Sequence, residues 1–216
     1  MTQNDNERTI IEQVRDLMPR RALSLTEAYA VADLQVARLL ALLEMTKPPV
    51  RFDQLQALPN LDIQLEADYK MDHFSGLSRF ASGKWLIVVD KNDTHGRRRF
   101  TLAHEFKHVI DHSLEKIVYA QLGFGDAERQ HQHVEAICQH FAASFLMPKQ
   151  WVKHWWTKGF QDVYALAGLF QVSVSAMEVR LKRLGFIDPE PDRAVHTYFR
   201  RSALLPLESA LPSWQR

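Results

Sequence analysis

Hydrophobic positions along the chain recur with two different periods, and the changes between them divide it into regions. From residue 24 the period is helical. Ala30, Leu34, Ala37, Leu40, Ala41 and Met45 share one face, and Lys47-Pro48-Pro49 ends the run. Ser24-Leu25-Thr26-Glu27 has the form of a capping box and predicts where that helix starts. A short helix is expected at Phe52 to Leu58, before Pro59. Beyond it the period falls to two. Leu61, Ile63 and Leu65 alternate with polar residues, and Gly76 to Phe80 forms a weaker segment. The turn Ser82-Gly83-Lys84 then leads into Trp85-Leu86-Ile87-Val88-Val89-Asp90, the strongest strand pattern. These connections are too short for helical crossovers, so a small antiparallel sheet is expected.

After residue 97 the helical period returns. One helix carries His104 and ends near His112 or Ser113. A second runs from about 128 to 147 and is stopped by Pro148. Trp151, Trp155 and Trp156 follow on a short helix as packing aromatics. A final helical pair spans 162–170 and 175–184, with Gly185 as its C-cap. Residues 1–20 read as a flexible N-terminus. Residues 188–216, with Pro189, Pro191, Pro206 and Pro212, read as a loosely held C-terminal tail. Between them lie a main domain at 21–158 and a helical, helix-turn-helix-like appendage at 159–187. The fold class expected is α+β.

Composition narrows the function without naming it. The chain has 216 residues, 46% of them hydrophobic and 25% charged, which suits one packed core rather than disorder. Its net charge of +1 gives no general attraction to nucleic acid or to a membrane surface. The start, MTQNDNERTIIEQVRD, lacks the basic and apolar parts of a signal peptide, and no stretch is long enough for a membrane span, so a cytoplasmic location is expected. The single cysteine, Cys138, excludes an internal disulfide and a cysteine-rich zinc module. Histidine is the informative excess: most of the ten fall between His104 and His154.

His104-Glu105-Phe106-Lys107-His108 has the form H-E-x-x-H. On a helix, positions i and i+4 lie on one face, so both imidazoles can reach one metal ion. Glu105 sits about 100° round the helix from His104, where it can serve as a base toward a water at that ion. A third ligand is needed. His112 continues the row, but eight residues span about 12 Å along a helix axis, too far for one ion. His131 and His133 lie in a more polar stretch. Glu135 is better placed, because Ala136, Ile137, Phe141, Ala142, Phe145 and Leu146 surround it with apolar cover and a buried carboxylate needs a partner.

The run Arg99-Phe100-Thr101-Leu102-Ala103-His104-Glu105-x-x-His108, followed by Glu135 and then Phe141-Ala142-Ala143-x-x-Leu146-Met147-Pro148, resembles the ImmA/IrrE family of metallopeptidases. Pro48-Pro49-Val50, the Gly76 and Ile87-Val88-Val89 strands, Leu166-Ala167-x-x-Phe170-x-Val172-Ser173 and Arg180-Leu181-x-x-Leu184-Gly185 extend the likeness over residues 25–187. The resemblance implies a zincin-like, gluzincin-type endopeptidase. His104, His108 and Glu135 would hold zinc, or manganese as the alternative, and Glu105 would be the general base. It also implies a helix-turn-helix repressor as substrate or partner. Two positions depart from the family's usual pattern. Lys107 stands where many members have a small residue and is expected to face outward. Cys138-Gln139 stands where many have Ala-Asn.

Several roles stay open at this level. Tyr119, His112, His131, His133 and His140 are all candidates for stabilising an oxyanion. The Trp85 to Asp90 strand is expected to hold an extended substrate by edge pairing. Two other readings compete. In one, residues 162–185 bind DNA, with Arg180, Lys182 and Arg183 touching phosphates, although Gln171 fills the turn position usually given to glycine. In the other, the chain is a metal-binding toxin or regulator paired with a helix-turn-helix protein, and Arg97-Arg98-Arg99 meets an acidic partner.

Overall fold

The computed structural model describes residues 9–66 and 75–188. The expectations for 1–8 and for the tail at 189–216 lie outside the described residues. Among the described residues the elements are α1 (Ile10–Arg15), α2 (Leu25–Leu42), α3 (Asp53–Gln56), β1 (Leu61–Glu66), β2 (Gly76–Ala81), β3 (Lys84–Asp90), α4 (His95–Asp111), α5 (Glu115–Val118), α6 (Ala127–Leu146), α7 (Lys149–Thr157), α8 (Val163–Phe170) and α9 (Val174–Leu184). The fold is α+β, as expected.

Local chemistry explains most of the helix starts. Ser24 accepts from the Glu27 amide and Glu27 reaches back to the Ser24 amide, the capping box read from the sequence. Thr9 and Glu12 form a second box at α1. From residue 9 onward, this helix corrects the reading of the N-terminus as flexible. Ile11 and Val14 are buried, and Arg15 donates to the carbonyls of Ile110 (2.6 Å) and Val109 (2.9 Å). Those carbonyls belong to the last turn of α4 and have no partner within it. What holds α1 lies about 95 residues further along the chain, out of reach of any local pattern.

The sheet has the order β1-β3-β2. β2 and β3 form a hairpin whose turn residues Ser82 and Gly83 both have positive φ (51° and 77°), the geometry that matches strand twist. β1, however, pairs with β3 in parallel, Leu61 opposite Trp85 and Ile63 opposite Ile87. The sheet is therefore mixed, not antiparallel throughout. A parallel pair needs no helical crossover here, because β2 supplies the return stroke. β3 is also paired along both edges, so Trp85–Asp90 has no free edge for a substrate strand. Of the two outer strands, β2 is the one that packs on α4 together with β3.

Helix α4 is the centre of the molecule. It packs against α1, α6, β2 and β3, and its interior includes Leu102, Ala103, Phe106, Val109 and Ile110. α2 lies across α6. The C-terminal pair α8–α9 docks at two points. Arg180 donates from Nε to the Met147 carbonyl at 3.0 Å, and the α8–α9 turn rests on the first turn of α4. A Cβ at Gly96 would stand 2.8 Å from the Ser173 nitrogen, so only glycine permits that backbone-to-backbone approach. Gln171 turns the chain with a φ of 54° where a glycine would ordinarily serve. Among the described residues, no helix is long and apolar enough to cross a membrane.

Candidate metal centre

His104 and His108 occupy successive turns of α4, and Glu135 faces them from α6. The two imidazole Nε2 atoms are 3.3 Å apart. Glu135 places Oε2 3.3 Å from His104 Nε2 and Oε1 3.4 Å from His108 Nε2. The three side chains thus form a triangle with nearly equal edges. Donors held about 2.0–2.1 Å from a tetrahedral ion lie roughly 3.3–3.4 Å from one another, so the triangle has the size such an ion requires. The electron-pair count points the same way. Oε1 of Glu135 and Oε1 of Glu105 are buried without a hydrogen-bond partner among the described residues. Buried carboxylate oxygens left in that condition are costly unless a cation joins them. The residues present fit a divalent metal.

Glu105 lies on the side of α4 that faces β2 and is 2% exposed. Gly76 makes this possible. A Cβ there would collide with the Thr101 side chain and stand 3.2 Å from Glu105 Cγ. The strand therefore lies directly on the turn of helix that carries the glutamate. Ser78, two residues along β2, also has a buried hydroxyl with no partner among the described residues.

Electrostatics in the pocket follows from this packing. Burial works to raise the Glu135 carboxyl, but hydrogen bonds and charge from His104 and His108 overcome it and hold the group well below the usual carboxylate range. Burial works to lower His108, yet Cys138, Glu135 and Glu105 together raise it well above 6.5. The Cys138 thiol itself is pushed up to about 11, chiefly by burial, so it is neutral at pH 7. The lasting anions that favour a charged His108 are therefore the two glutamates.

Other donors compete for the metal. His104, His108 and Cys138 also offer ligand atoms within 4.8 Å of one another. Cys138 Sγ, however, lies against Nδ1 of His108 at 3.8 Å, the nitrogen opposite the one that meets His104 and Glu135. The Glu135 set is tighter and uses the same nitrogen on both histidines, so geometry favours it. Cys138 escaped the sequence reading as a site residue, although it stands three positions after Glu135 on the buried side of α6, a spacing that makes side chains neighbours.

The remaining candidates separate clearly. Lys107 does not face outward. It is 0% exposed, and Nζ reaches Asp111 Oδ1 (2.6 Å), Gln35 Oε1 (2.7 Å) and the Tyr119 hydroxyl (3.4 Å). Helix α4 is surrounded by other elements and has no solvent face at that position. Tyr119 donates its hydroxyl to Asp111 Oδ2 at 2.6 Å, and His140 pairs with Asp33 at 2.8 Å across α2 and α6. Neither is free to meet an oxyanion. His112 caps α4 with its ring against Trp85, 4.8 Å between centroids. His131 lines a cleft of about 230 Å³ with Lys116, Tyr119 and Gln130, and His133 has a buried Nδ1 with no partner among the described residues. Arg180 is buried on the Met147 carbonyl, which removes one of the three proposed phosphate contacts, while Lys182 pairs with Glu178 at 2.7 Å on the surface.

The sequence profile of peptidase M78, the IrrE N-terminal-like domain, matches residues 62–182, which include the whole triangle and Glu105. No curated protein matches at a significant level. Among solved structures, a Mycobacterium tuberculosis transcriptional regulator is similar with a TM-score of 0.57 at 18% identity. The match covers 81% of this chain and 52% of that one, so the present chain spans about half its length. At that identity the likeness is one of fold.

Proposed function

The chain belongs to the peptidase M78 family of IrrE N-terminal-like domains, a metallopeptidase family, and on that premise we propose that it is a zinc-dependent endopeptidase whose substrate is a helix-turn-helix repressor. Manganese is the alternative metal. The observation that carries the reading is the triangle of His104, His108 and Glu135 beside a buried Glu105 whose Oε1 has no hydrogen-bond partner among the described residues. When bound, a divalent ion would polarise the scissile carbonyl and acidify the attacking water toward a pKa of about 7. Glu105 takes the water's proton and returns it to the leaving amine, the two proton transfers a peptide hydrolysis needs. Burial of that carboxylate against Gly76 and Thr101 excludes bulk water from its flank.

Strand β2 supplies the substrate lane. Its outer edge is unpaired among the described residues, and it crosses α4 at Glu105. An extended peptide added there gains main-chain hydrogen bonds while its carbonyl is brought to the base. A repressor suits such a site in one of its extended connecting segments. A location in the cytoplasm, where repressors work, belongs to the same reading.

The test compares new protein N-termini in cells expressing wild type with those expressing Glu105→Gln. Glu105→Gln should retain metal and lose about 10²–10⁴-fold in kcat. A few termini confined to wild type, in a repressor-like protein, would name the substrate. Equal termini in both, with both proteins folded and metal-loaded, would instead leave a metal-binding regulator or toxin partnered with a helix-turn-helix protein.

A further inference from the structure

A histidine that binds metal through one ring nitrogen must carry its proton on the other, and that N–H usually has a dedicated acceptor. For His108 the nitrogen facing His104 and Glu135 is Nε2, so the proton belongs on Nδ1. Nδ1 lies 3.8 Å from Cys138 Sγ, within hydrogen-bond range for sulfur. Both groups are buried: Cys138 is 0% exposed and His108 4%. No water can easily take the place of the sulfur, and backbone groups of α6 are engaged in their own helix. Cys138 also sits one turn after Glu135, so a single helix carries both the carboxylate that meets Nε2 and the sulfur that meets Nδ1 of the same ring.

We propose that Cys138 is a positioning residue that accepts the Nδ1–H of His108 and so fixes the tautomer and ring plane that direct Nε2 toward His104 and Glu135. The inference rests on the reading of His104, His108 and Glu135 as the ligand set. It assigns a task to one of the two positions at which this chain departs from the family's usual Ala-Asn. A carbonyl or carboxylate is the ordinary acceptor in such sites, whereas sulfur is larger, softer and weaker. The orientation of His108 accordingly depends on a contact that a one-atom change can remove.

The test uses the full chain, stripped of metal, as wild type and as Cys138→Ala, Cys138→Val and Cys138→Ser. Zinc affinity is measured by chelator competition, the His108 tautomer by nitrogen NMR of the zinc-loaded protein, and the coordination sphere by the absorption of the cobalt form. Cys138→Ser keeps an acceptor and should bind zinc nearly as wild type does. Cys138→Val fills the space without an acceptor and should weaken zinc by about 10–100-fold, with Cys138→Ala behaving alike. If Cys138→Ala does not fold, the Val–Ser pair still carries the comparison. Equal zinc affinity and the same His108 tautomer in all four proteins would overturn the proposal and leave Cys138 as packing. A sulfur-to-cobalt charge-transfer band in wild type, lost in Cys138→Ala, would overturn it in another way by making Cys138 a ligand. Failure of wild type to bind either ion would instead remove the ligand reading, and this inference with it.

Discussion

Two buried polar clusters share helix α4, and they differ in whether their own side chains satisfy them. On one side, Lys107 meets Asp111, Gln35 and Tyr119, and Tyr119 in turn donates to Asp111. One cation faces one carboxylate, with two neutral groups around them and a single amide nitrogen of Gln35 left over. On the other side, His104, His108 and Glu135 converge with Glu105 nearby, and Oε1 of each glutamate lacks a hydrogen-bond partner among the described residues, Glu135 having only the 3.4 Å approach of His108 Nε2 there. The first cluster is closed by charge and by hydrogen bonds. The second is closed only when a cation joins it. A buried network complete in itself holds a fold together, whereas an incomplete one of matching burial marks a site for something else.

The sharpest way to break the comparison is to open the closed cluster. Lys107→Met leaves Asp111 buried without its cation, which should cost about 3–5 kcal/mol of stability. Urea denaturation of the metal-free protein measures the loss. Adding Asp111→Asn should recover part of it, because the uncompensated charge is gone. A Lys107→Met protein as stable as wild type would show that the cluster is not the structural tie described here.

Next in size is the converse change. Glu135→Ala removes one corner of the triangle and should weaken zinc by more than the roughly 100-fold that an outer partner is worth. It should also cost the metal-free protein some stability, because the buried Nε2 atoms of His104 and His108 lose the carboxylate that faces them. Chelator competition and urea denaturation read the two effects separately. Unchanged zinc affinity would sink the assignment of Glu135 as a ligand.

The smallest effect is in pH. In the metal-free protein His108 holds its proton to higher pH than the ordinary 6.5. A metal must displace that proton, so zinc affinity should fall as pH falls, by up to about tenfold per pH unit. An ordinary imidazole would leave the affinity nearly flat above about pH 7.5. The raised group should keep it rising through the neutral range, and a plateau beginning near pH 6.5 would contradict the glutamate-rich surroundings of His108. The same protonation, taken alone, stabilises the metal-free fold below the unfolded value and ceases to do so as pH rises through the folded one.

Much of the centre could be read before any coordinates. H-E-x-x-H at 104–108 fixes two imidazoles on one helical face, because the helix repeat does that anywhere it occurs. Glu135 could be singled out because a carboxylate in so apolar a helix needs a partner. The capping box at Ser24 and the stop at Pro148 are equally local and appear where expected. Lys107 could not be read. A lysine is ordinarily exposed, and its burial depends on Gln35 of α2 and Tyr119 after α5 arriving beside Asp111, which stands one turn further along the same helix. Arg180 misled for the same reason, since its exposure depends on where Met147 lies.

What the sequence by itself determined are the features with a local cause: caps, helix stops, the hairpin turn and the register of two histidines and a glutamate within one helix, whereas the buried face of α2 runs through Ala28, Val31, Ala32, Gln35, Val36 and Leu39 rather than through Leu34, Ala37 and Ala41. Tertiary structure alone decided which strand lies at the edge, which face of α4 is closed by charge and which is left open, and which nitrogen of His108 meets sulfur. Those outcomes depend on groups far apart in the chain, such as Arg15 with Ile110 or Cys138 with His108, and no local pattern encodes the packing that brings them together.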